Sequence, residues 1–581
     1  MFLNKKIKTL IGKNKIPTFY RLVIFTIFIA IIETAGIGLV IPLIQIILNP
    51  EYLDKIRNLI PIFDNYDDKE MIVSFLILLW LLFIIKNILY MTYIYISNKF
   101  NQAIRRDIAT QLYHNFLNQK FNFHLNVSSV ELIKNINMDL DDLRFSLYHF
   151  FIGIAEVFIT ICLVVLLLTY DFYATSVLVI IFIFVIFIYN FFLKNISKVM
   201  GEKIFNTMIH LQRHVKETLS NIKLIKIFSS KKHFEEEFNI HNKNFFQSRL
   251  LVDLIVNAPR AVIESTVVTI LVFYFFFSYT TSNSLTAFSS VGLYGLAFFR
   301  LMPAVNRMVT AFSYRNILQH NTDKLYEIFV SSKISDKDYD QSTISEKKIF
   351  SEINHITFEN VSFSYNANKK ILENVDLKIN KNEFLGIIGE SGTGKSTLLN
   401  LLLGLLKPNE GSVLYNNNVD IFENLELFNK KISYVPQNIN ILERSLIENI
   451  AFGEKKENID LDKIKKIVKK TKLDNLINQM GNGLDSVINN DNMNISGGEL
   501  QRVGIARALY FDSDLLILDE ATNSLDIKTE NEILEMIYEN FLGKKTIVFI
   551  THKIKNLQKT DFIIEIKNKK IIKKINKKNI K

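Results

Sequence analysis

Over its first three hundred residues the chain alternates between long apolar runs and long charged stretches, and then the period of the pattern changes. Six runs, at 20–48, 71–97, 149–170, 172–193, 249–279 and 284–304, are predominantly apolar. Each is long enough for a helix to cross a bilayer, which takes ~20 residues. The first, second and fifth exceed that minimum, so their helices are expected to continue past the membrane or to tilt. The intervening segments differ in charge. Lys99, Arg105, Arg106, Lys120, Lys134 and Arg144 lie between runs two and three, and ten basic residues from Lys194 to Lys243 lie between runs four and five. The links after runs three and five carry no Lys or Arg, and the first loop, 49–70, is net acidic. This asymmetry predicts that the basic segments and both termini face the cytoplasm.

The two basic segments show helical periodicity; Leu132, Ile136, Leu140 and Leu143 have the spacing of one helical face. Helices carried about 30 residues beyond the membrane reach ~45 Å at 1.5 Å per residue, far enough to touch a separate soluble domain. Residues 331–348 (SSKISDKDYDQSTISEKK) have the composition of a linker. Beyond them, short β-like runs at Ile353–Phe358 and Phe384–Ile388 alternate with helical segments, which predicts an α/β domain with a mainly parallel sheet. No internal repeat is visible, so one such domain is expected. The organisation predicted is a six-helix all-α transmembrane domain at 1–330, a linker at 331–350 and an α/β domain at 351–581.

Composition agrees with a membrane protein: 49% of residues are hydrophobic. The net charge of +11 is concentrated at the C-terminus, where eight lysines lie between Lys567 and Lys581; without them it falls to +3. Such a tail is a solvated end or a contact for anionic headgroups, and the balanced body gives no reason to expect a nucleic-acid partner. The single cysteine, Cys162, excludes an internal disulfide and a multi-cysteine metal site. The first apolar run is too long for a signal-peptide core and lacks a small-residue cleavage site, so no cleavable signal is expected.

The chemistry concentrates in the α/β region. Gly389-Glu-Ser-Gly392-Thr-Gly394-Lys395-Ser396-Thr397 follows the strand FLGII and opens the helix TLLNLLLGLL. The spacing G-x-x-x-x-G-K-S in that context is a P-loop, a backbone cradle for phosphates at a helix N-terminus. Lys395 is placed to reach the β- and γ-phosphates of ATP, and Ser396 to hold Mg2+. In Asp514-Leu-Leu-Ile-Leu-Asp519-Glu520, four apolar residues form a buried strand with Asp519 at its C-terminal end, where open α/β sheets bind ligands. Asp519 can bind Mg2+, and Glu520 can then polarise the attacking water as general base.

At this point the sequence resembles the ABC ATPase family. Asn494-Ile-Ser496-Gly497-Gly498-Glu499-Leu-Gln501-Arg502 looks like the family signature, usually written LSGGQ-x-QR. Gln437 in YVPQN matches the Q-loop and implies a Mg2+ contact. Asn523-Ser524-Leu525-Asp526 resembles the D-loop, His552 in FITHK the switch histidine that meets the γ-phosphate, and Tyr365 in VSFSY the aromatic that stacks on adenine. In this family Ser496, Gly497 and Gly498 of one domain would complete the site of a second, so one set per chain implies a homodimer with two hydrolytic sites. Two departures stand out: Asn490 replaces an acidic residue common upstream of the signature in exporters, and Glu499 replaces the usual Gln, which places a negative charge near the partner's nucleotide.

The order of six spans followed by an ATPase domain resembles the exporter branch of ABC transporters. Charges inside the spans bear on what is moved: Lys86, Arg260, Arg300 and Arg307, with Glu33, Glu156 and Glu264. Inward basic side chains suit a phosphate or pyrophosphate; the alternative is pairing with those glutamates. IIETAGIGLVIPLI, NAPRAVIES and FFRLMPAVNRM resemble the membrane domain of bacterial lipid-linked oligosaccharide flippases. That resemblance implies an inner-membrane protein in contact with lipid, whose Lys86, Arg260 and Arg300 meet a polyprenyl-pyrophosphate-linked oligosaccharide. Leu53, Ile56 and Ile60 lie on one side of a short helix in the first outer loop, which the flippase resemblance would place against the polyprenyl tail. Export of a peptide, drug or lipid A-like lipid is the alternative cargo, and an ATP-gated channel or sensor the alternative class.

Overall fold

The structure, a computed structural model, describes residues 5–48, 68–170, 172–281, 284–332, 352–365, 370–416, 419–488, 495–522 and 525–576. The outer-loop residues Leu53, Ile56 and Ile60, most of the linker, and Asn490, Asn494, Asn523 and Ser524 lie outside the described residues. The chain divides into two compact units, one of Met1–Gln119 with His124–Ile334 and one of Lys120–Phe123 with Ser335–Lys581.

In the first unit each of the six apolar runs falls inside a long helix: α1 (Ile16–Leu48), α2 (Asp68–Leu117), α3 (Leu140–Tyr170), α4 (Phe172–Ser220), α5 (Lys231–Thr281) and α6 (Ser284–Ile317). Among the described residues, three helical stretches are long and apolar enough to cross a membrane: Lys13–Gly36, Lys69–Leu117 and Ser129–Thr169. Helix α2 is apolar on nearly all sides, and Ile77, Trp80, Ile88 and Met91 stand exposed on it. A helix of that kind, uncovered by protein, is matched to hydrocarbon rather than to water. The core lies where α1, α3, α5 and α6 meet, with Ala30, Leu163, Val267 and Val305 fully or almost fully buried. At 50, 49 and 51 residues, α2, α4 and α5 are each far longer than one bilayer crossing.

The helical face read from Leu132 to Leu143 is interrupted. A short helix at Ser129–Lys134 passes into one wide turn at Asn135–Asp139 before α3 begins. Such π-turns shift the register of the faces around them. Leu140 and Leu143 are buried as the spacing demands, but so are Lys134 and Asp139, whose side chains pair at 2.6 Å with almost no exposure. The Lys134 ammonium also lies 3.5 Å from the centre of the Phe205 ring. Removing one partner of a buried ion pair strands the other charge, at about 3–5 kcal/mol. Lys134→Ala is therefore expected to lower the thermal unfolding midpoint of the purified protein sharply, and Lys134→Met with Asp139→Leu to recover most of the loss. An unchanged midpoint in the single variant would show that this pair contributes no stability.

The second unit holds two main sheets. Strands β1 (His355–Ser364), β2 (Lys370–Asn380), β4 (Glu410–Tyr415) and β5 (Val419–Asp420) form an antiparallel sheet in the order β2-β1-β4-β5. The β-run expected at Ile353–Phe358 thus belongs to a longer, bulged strand outside the parallel sheet. The other sheet has the order β12-β11-β3-β10-β9-β6 and contains β3 (Phe384–Ile388), β6 (Ile432–Val435), β9 (Leu515–Asp519), β10 (Thr546–Ile550), β11 (Phe562–Lys567) and β12 (Lys570–Asn576). Only the β11–β12 pairing in it is antiparallel, as expected for a mainly parallel sheet. Leu515, Leu516, Ile517, Leu518, Ile547, Val548 and Phe549 are fully buried, which explains their unbroken apolar runs.

Candidate functional site

The register of the parallel sheet assembles the site. Ile387 pairs with Ile550, Ile550 with Asp519, and Leu518 with Val435, so four adjacent strands end at nearly one level. The residues just past those ends are Gly389, His552, Glu520 and Gln437. Four motifs far apart in sequence are thereby brought to the carboxyl edge of one sheet, the place where open α/β folds bind ligands.

From β3 the chain turns through the P-loop into α7 (Lys395–Leu402). Gly392 and Gly394 have φ of 80° and 107°, backbone that L side chains rarely adopt. A Cβ on Gly394 would also press on Leu372. Lys395 is buried and its Nζ donates to the carbonyls of Gly389 and Glu390 at 2.7 and 2.9 Å. Burial pushes its amine below the usual lysine range, while Glu520 and Asp519 act in the opposite sense. Ser396 is exposed on the first turn of α7, and Thr397 is buried behind it. Tyr365, half-exposed at the end of β1, packs edge-on against Phe363 and sets its hydroxyl 3.4 Å from Thr397 Oγ1.

Asp519 and Glu520 have different surroundings. Burial raises the Asp519 carboxyl above the ordinary range, and Tyr434 donates a 3.1 Å hydrogen bond to its Oδ2. Glu520 has φ of 49°, and its N–H donates to the Ile550 carbonyl. Its carboxylate lies 2.9 Å from His552 Nε2 and accepts from Gln437 Nε2 at 3.0 Å. The structure therefore joins Gln437, Glu520 and His552 directly.

Ser396, Gln437 and Asp519 offer a hydroxyl, an amide oxygen and a carboxylate. These are the hard oxygen donors that Mg2+ takes together with water and phosphate. The donor set fits the ion.

The signature residues occupy a helix start. Ser496 caps α8 (Gly497–Tyr510) in a reciprocal capping box with Glu499. Glu499 Oε2 accepts from the Ser496 N–H at 2.8 Å and from its hydroxyl at 2.7 Å. A Cβ on Gly498 would lie 2.6 Å from Thr529 Cγ2, so a side chain there would displace Thr529. Gln501 donates to the Gln437 carbonyl, and Asp526 caps α9 (Ile527–Phe541).

Sequence reasoning did not single out Tyr434 or the network behind His552. Glu530, fully buried on α9, accepts from Lys553 Nζ and Asn556 Nδ2, both at 2.8 Å, and so holds the segment that carries His552. The only sequence signal was an acidic residue in a helix whose neighbours at apolar spacing are core.

In the first unit, Lys86 and Arg300 both contact Glu33, Lys86 at 3.2 Å, and Arg307 pairs with Glu156. Arg260 is exposed and has no ion-pair partner among the described residues.

A P-loop domain with an acidic pair and a histidine at the sheet edge, carried on one chain with a bundle of long apolar helices, defines a membrane-bound nucleotide-hydrolysing protein. Residues 2–302 match the family model of the ABC transporter transmembrane region, and residues 372–523 match that of the ABC transporter. The chain belongs to the ABC transporter family, whose ATPase domain uses ATP with Mg2+ and drives transport across a membrane. It is similar to a putative export ATP-binding/permease protein of Rickettsia prowazekii, 26% identical over 81% of each chain. Its match to a Rickettsia felis protein of the same description is 38% identical but spans only 36% of each chain. A lactococcin-G-processing and transport ATP-binding protein of Lactococcus lactis is 31% identical over 66% of this chain and 53% of that one. The fold resembles the solved structure of a bacterial Atm1-family ABC exporter with ATP bound, with a TM-score of 0.77 at 17% identity, covering 97% of this chain and 96% of that one.

Proposed function

We propose that the chain works as a homodimeric exporter of the inner membrane, with its ATPase domain in the cytoplasm, and that it moves an amphipathic anionic substrate. In this reading Lys395 holds the β- and γ-phosphates, Tyr365 stacks on adenine, and His552 meets the γ-phosphate. Glu520 takes a proton from the attacking water. Ser396, Gln437 and Asp519 hold Mg2+, which neutralises charge on the transferred phosphoryl group. Ser496, Gly497 and Gly498 of a second copy close over the phosphates, where the helix start supplies N–H donors. Closure of the ATPase domains turns the substrate path outward, and hydrolysis resets it.

The observation that carries the substrate reading is the Glu33 cluster. One carboxylate faces two cations, Lys86 and Arg300, with all three side chains at most one-fifth exposed. Arg300 Nε is buried and makes no hydrogen bond among the described residues. A net positive charge and an idle donor inside an apolar bundle call for an anion. A polyprenyl-pyrophosphate-linked oligosaccharide meets that demand with its pyrophosphate and leaves its tail in lipid. The test is ATP-dependent movement of such a lipid across proteoliposomes, with Glu520→Gln alongside. Movement by the unaltered protein alone is expected; ATPase activity without movement would remove this cargo. Peptide export is the second reading, favoured by the extent of the match to the lactococcin-G protein.

Glu499 has a kinetic role in this scheme. Its carboxylate holds the Ser496 hydroxyl that a partner's phosphate would take. Glu499→Gln weakens that grip and removes a negative charge, so the KM for ATP is expected to fall about two- to five-fold, the worth of a fraction of one hydrogen bond. Steady-state ATPase assays check this, and a raised KM would show that the capping box favours nucleotide binding.

A further inference from the structure

Five helices of the first unit surround a cavity of about 450 Å3. Its wall is made by the short helix Lys5–Ile11, by α3, α4 and α6, and by the helix Gln319–Ser331 that follows α6. That volume falls within the range of small-molecule sites, about 300–1,000 Å3. No residue of the Glu33 cluster lines it, so it is separate from the substrate reading given above.

The charges on the wall do not balance. Three cations, Lys6, Lys194 and Arg315, share it with one carboxylate, Asp323. Asp323 is already taken, because Lys6 Nζ donates to its Oδ1 at 2.8 Å. Lys194 and Arg315 are exposed and have no ion-pair partner among the described residues. Two uncompensated cations, one on α4 and one on α6, therefore line a single recess. An anion that enters it is attracted by both. A guanidinium and an ammonium on one wall suit a phosphate: the planar fork grips two oxygens and the ammonium adds a point charge.

The level of the cavity along the bundle points to the source of that phosphate. Lys194 is the first residue past the apolar run 172–193, and Ser146, also on the wall, lies three residues before the run that begins at 149. Both belong to the two basic segments, so the recess lies where hydrocarbon gives way to headgroups on the basic side of the membrane. Ile7 and Phe312 set apolar surface beside the cations, and Phe312 is exposed. Positive charge next to apolar surface at that level matches a molecule whose phosphate is joined to acyl chains, rather than a free anion in solution.

We propose that this cavity is a site for an anionic phospholipid, with Lys194 and Arg315 holding the phosphate and Ile7 and Phe312 meeting the glycerol and the first acyl carbons. Basic recesses between membrane helices are the places where such headgroups are held. A bound lipid ties α4 to α6 and to the helix Lys5–Ile11.

The test titrates the full-length protein, purified in detergent, with phosphatidylglycerol and in parallel with phosphatidylcholine, and counts bound lipids by native mass spectrometry. One phosphatidylglycerol per chain is expected to bind ahead of any phosphatidylcholine. Its affinity should fall about 10- to 30-fold when Lys194→Gln and Arg315→Gln are combined, the usual worth of two basic residues near a headgroup. Neither side chain leaves an ion-pair partner behind among the described residues, so the double variant tests binding without disturbing the fold. Arg21→Gln removes an exposed cation at the start of the first apolar run, outside the cavity, and should leave the affinity unchanged. Equal binding of the two lipids would overturn the proposal, as would unchanged affinity in the double variant. An equal loss in Arg21→Gln would also overturn it, since the attraction would then be diffuse. Inorganic phosphate in large excess separates the two sources of phosphate: phosphatidylglycerol should stay bound, and its displacement would make the recess a site for a soluble anion.

Discussion

Glu520→Gln should leave ATP bound to the purified protein and slow its hydrolysis by about 10²- to 10⁴-fold, the usual worth of a positioned general base. The substitution keeps the shape of the side chain and removes its ability to take a proton. Shape matters here because the side chain is held from several directions. The backbone sits at φ of 49°, a conformation uncommon for a residue with a side chain. It is sustained by the hydrogen bond to the Ile550 carbonyl. Gln437 and His552 then fix the carboxylate at 3.0 and 2.9 Å. Strained backbone that is held in place in this way gathers at sites where direction matters. Phosphate release and nucleotide binding, measured on the same preparation, separate the effects. Turnover within two-fold of the unaltered protein would take Glu520 out of the chemical step.

Lys395→Ala should fail earlier, at binding. Its ammonium is buried and lies on the carbonyls of Gly389 and Glu390, inside the loop that would enclose the phosphates. A hydrogen bond to a charged group is worth about 1.5–3 kcal/mol, so its loss should weaken ATP binding about 10- to 150-fold. Equilibrium binding of ATP checks this directly. The contrast is diagnostic: the Glu520 variant holds nucleotide and turns it over slowly, and the Lys395 variant holds it weakly. Equal affinity in the Lys395 variant would show that the loop's backbone carries phosphate binding by itself.

The P-loop and the strand ending in Asp519 were legible because their information is local. Glycines that need positive φ and an apolar run that fills a parallel strand are written in consecutive residues. The apolar runs were legible as helix for the same reason, and three described stretches are long and apolar enough to cross a membrane. Contacts between distant residues were not legible. Tyr434 meets Asp519 across 85 positions, and Arg300 meets Glu33 across 267. The pairing of the span charges was one of two readings the residues allowed, and only the assembled helices show that a single glutamate is shared. The π-turn before α3 was hidden for another reason. Its residues have ordinary helical spacing, and burial of Lys134 follows from a partner five positions on that propensity does not weigh. The bulged strand from His355 to Ser364 likewise depends on two partner strands whose register no single run specifies.

The chain has one tryptophan, Trp80, exposed on the apolar face of α2. Excited at the red edge, beyond tyrosine absorption, its tryptophan fluorescence therefore arises wholly from the membrane unit, with no tryptophan in the ATPase unit. An indole at the boundary of helix and hydrocarbon changes its emission maximum with the polarity around it. Quenchers fixed at chosen depths along a lipid tail would place α2 in the bilayer without a label, and ATP-driven rearrangement of that helix would be visible as a spectral shift in the native protein.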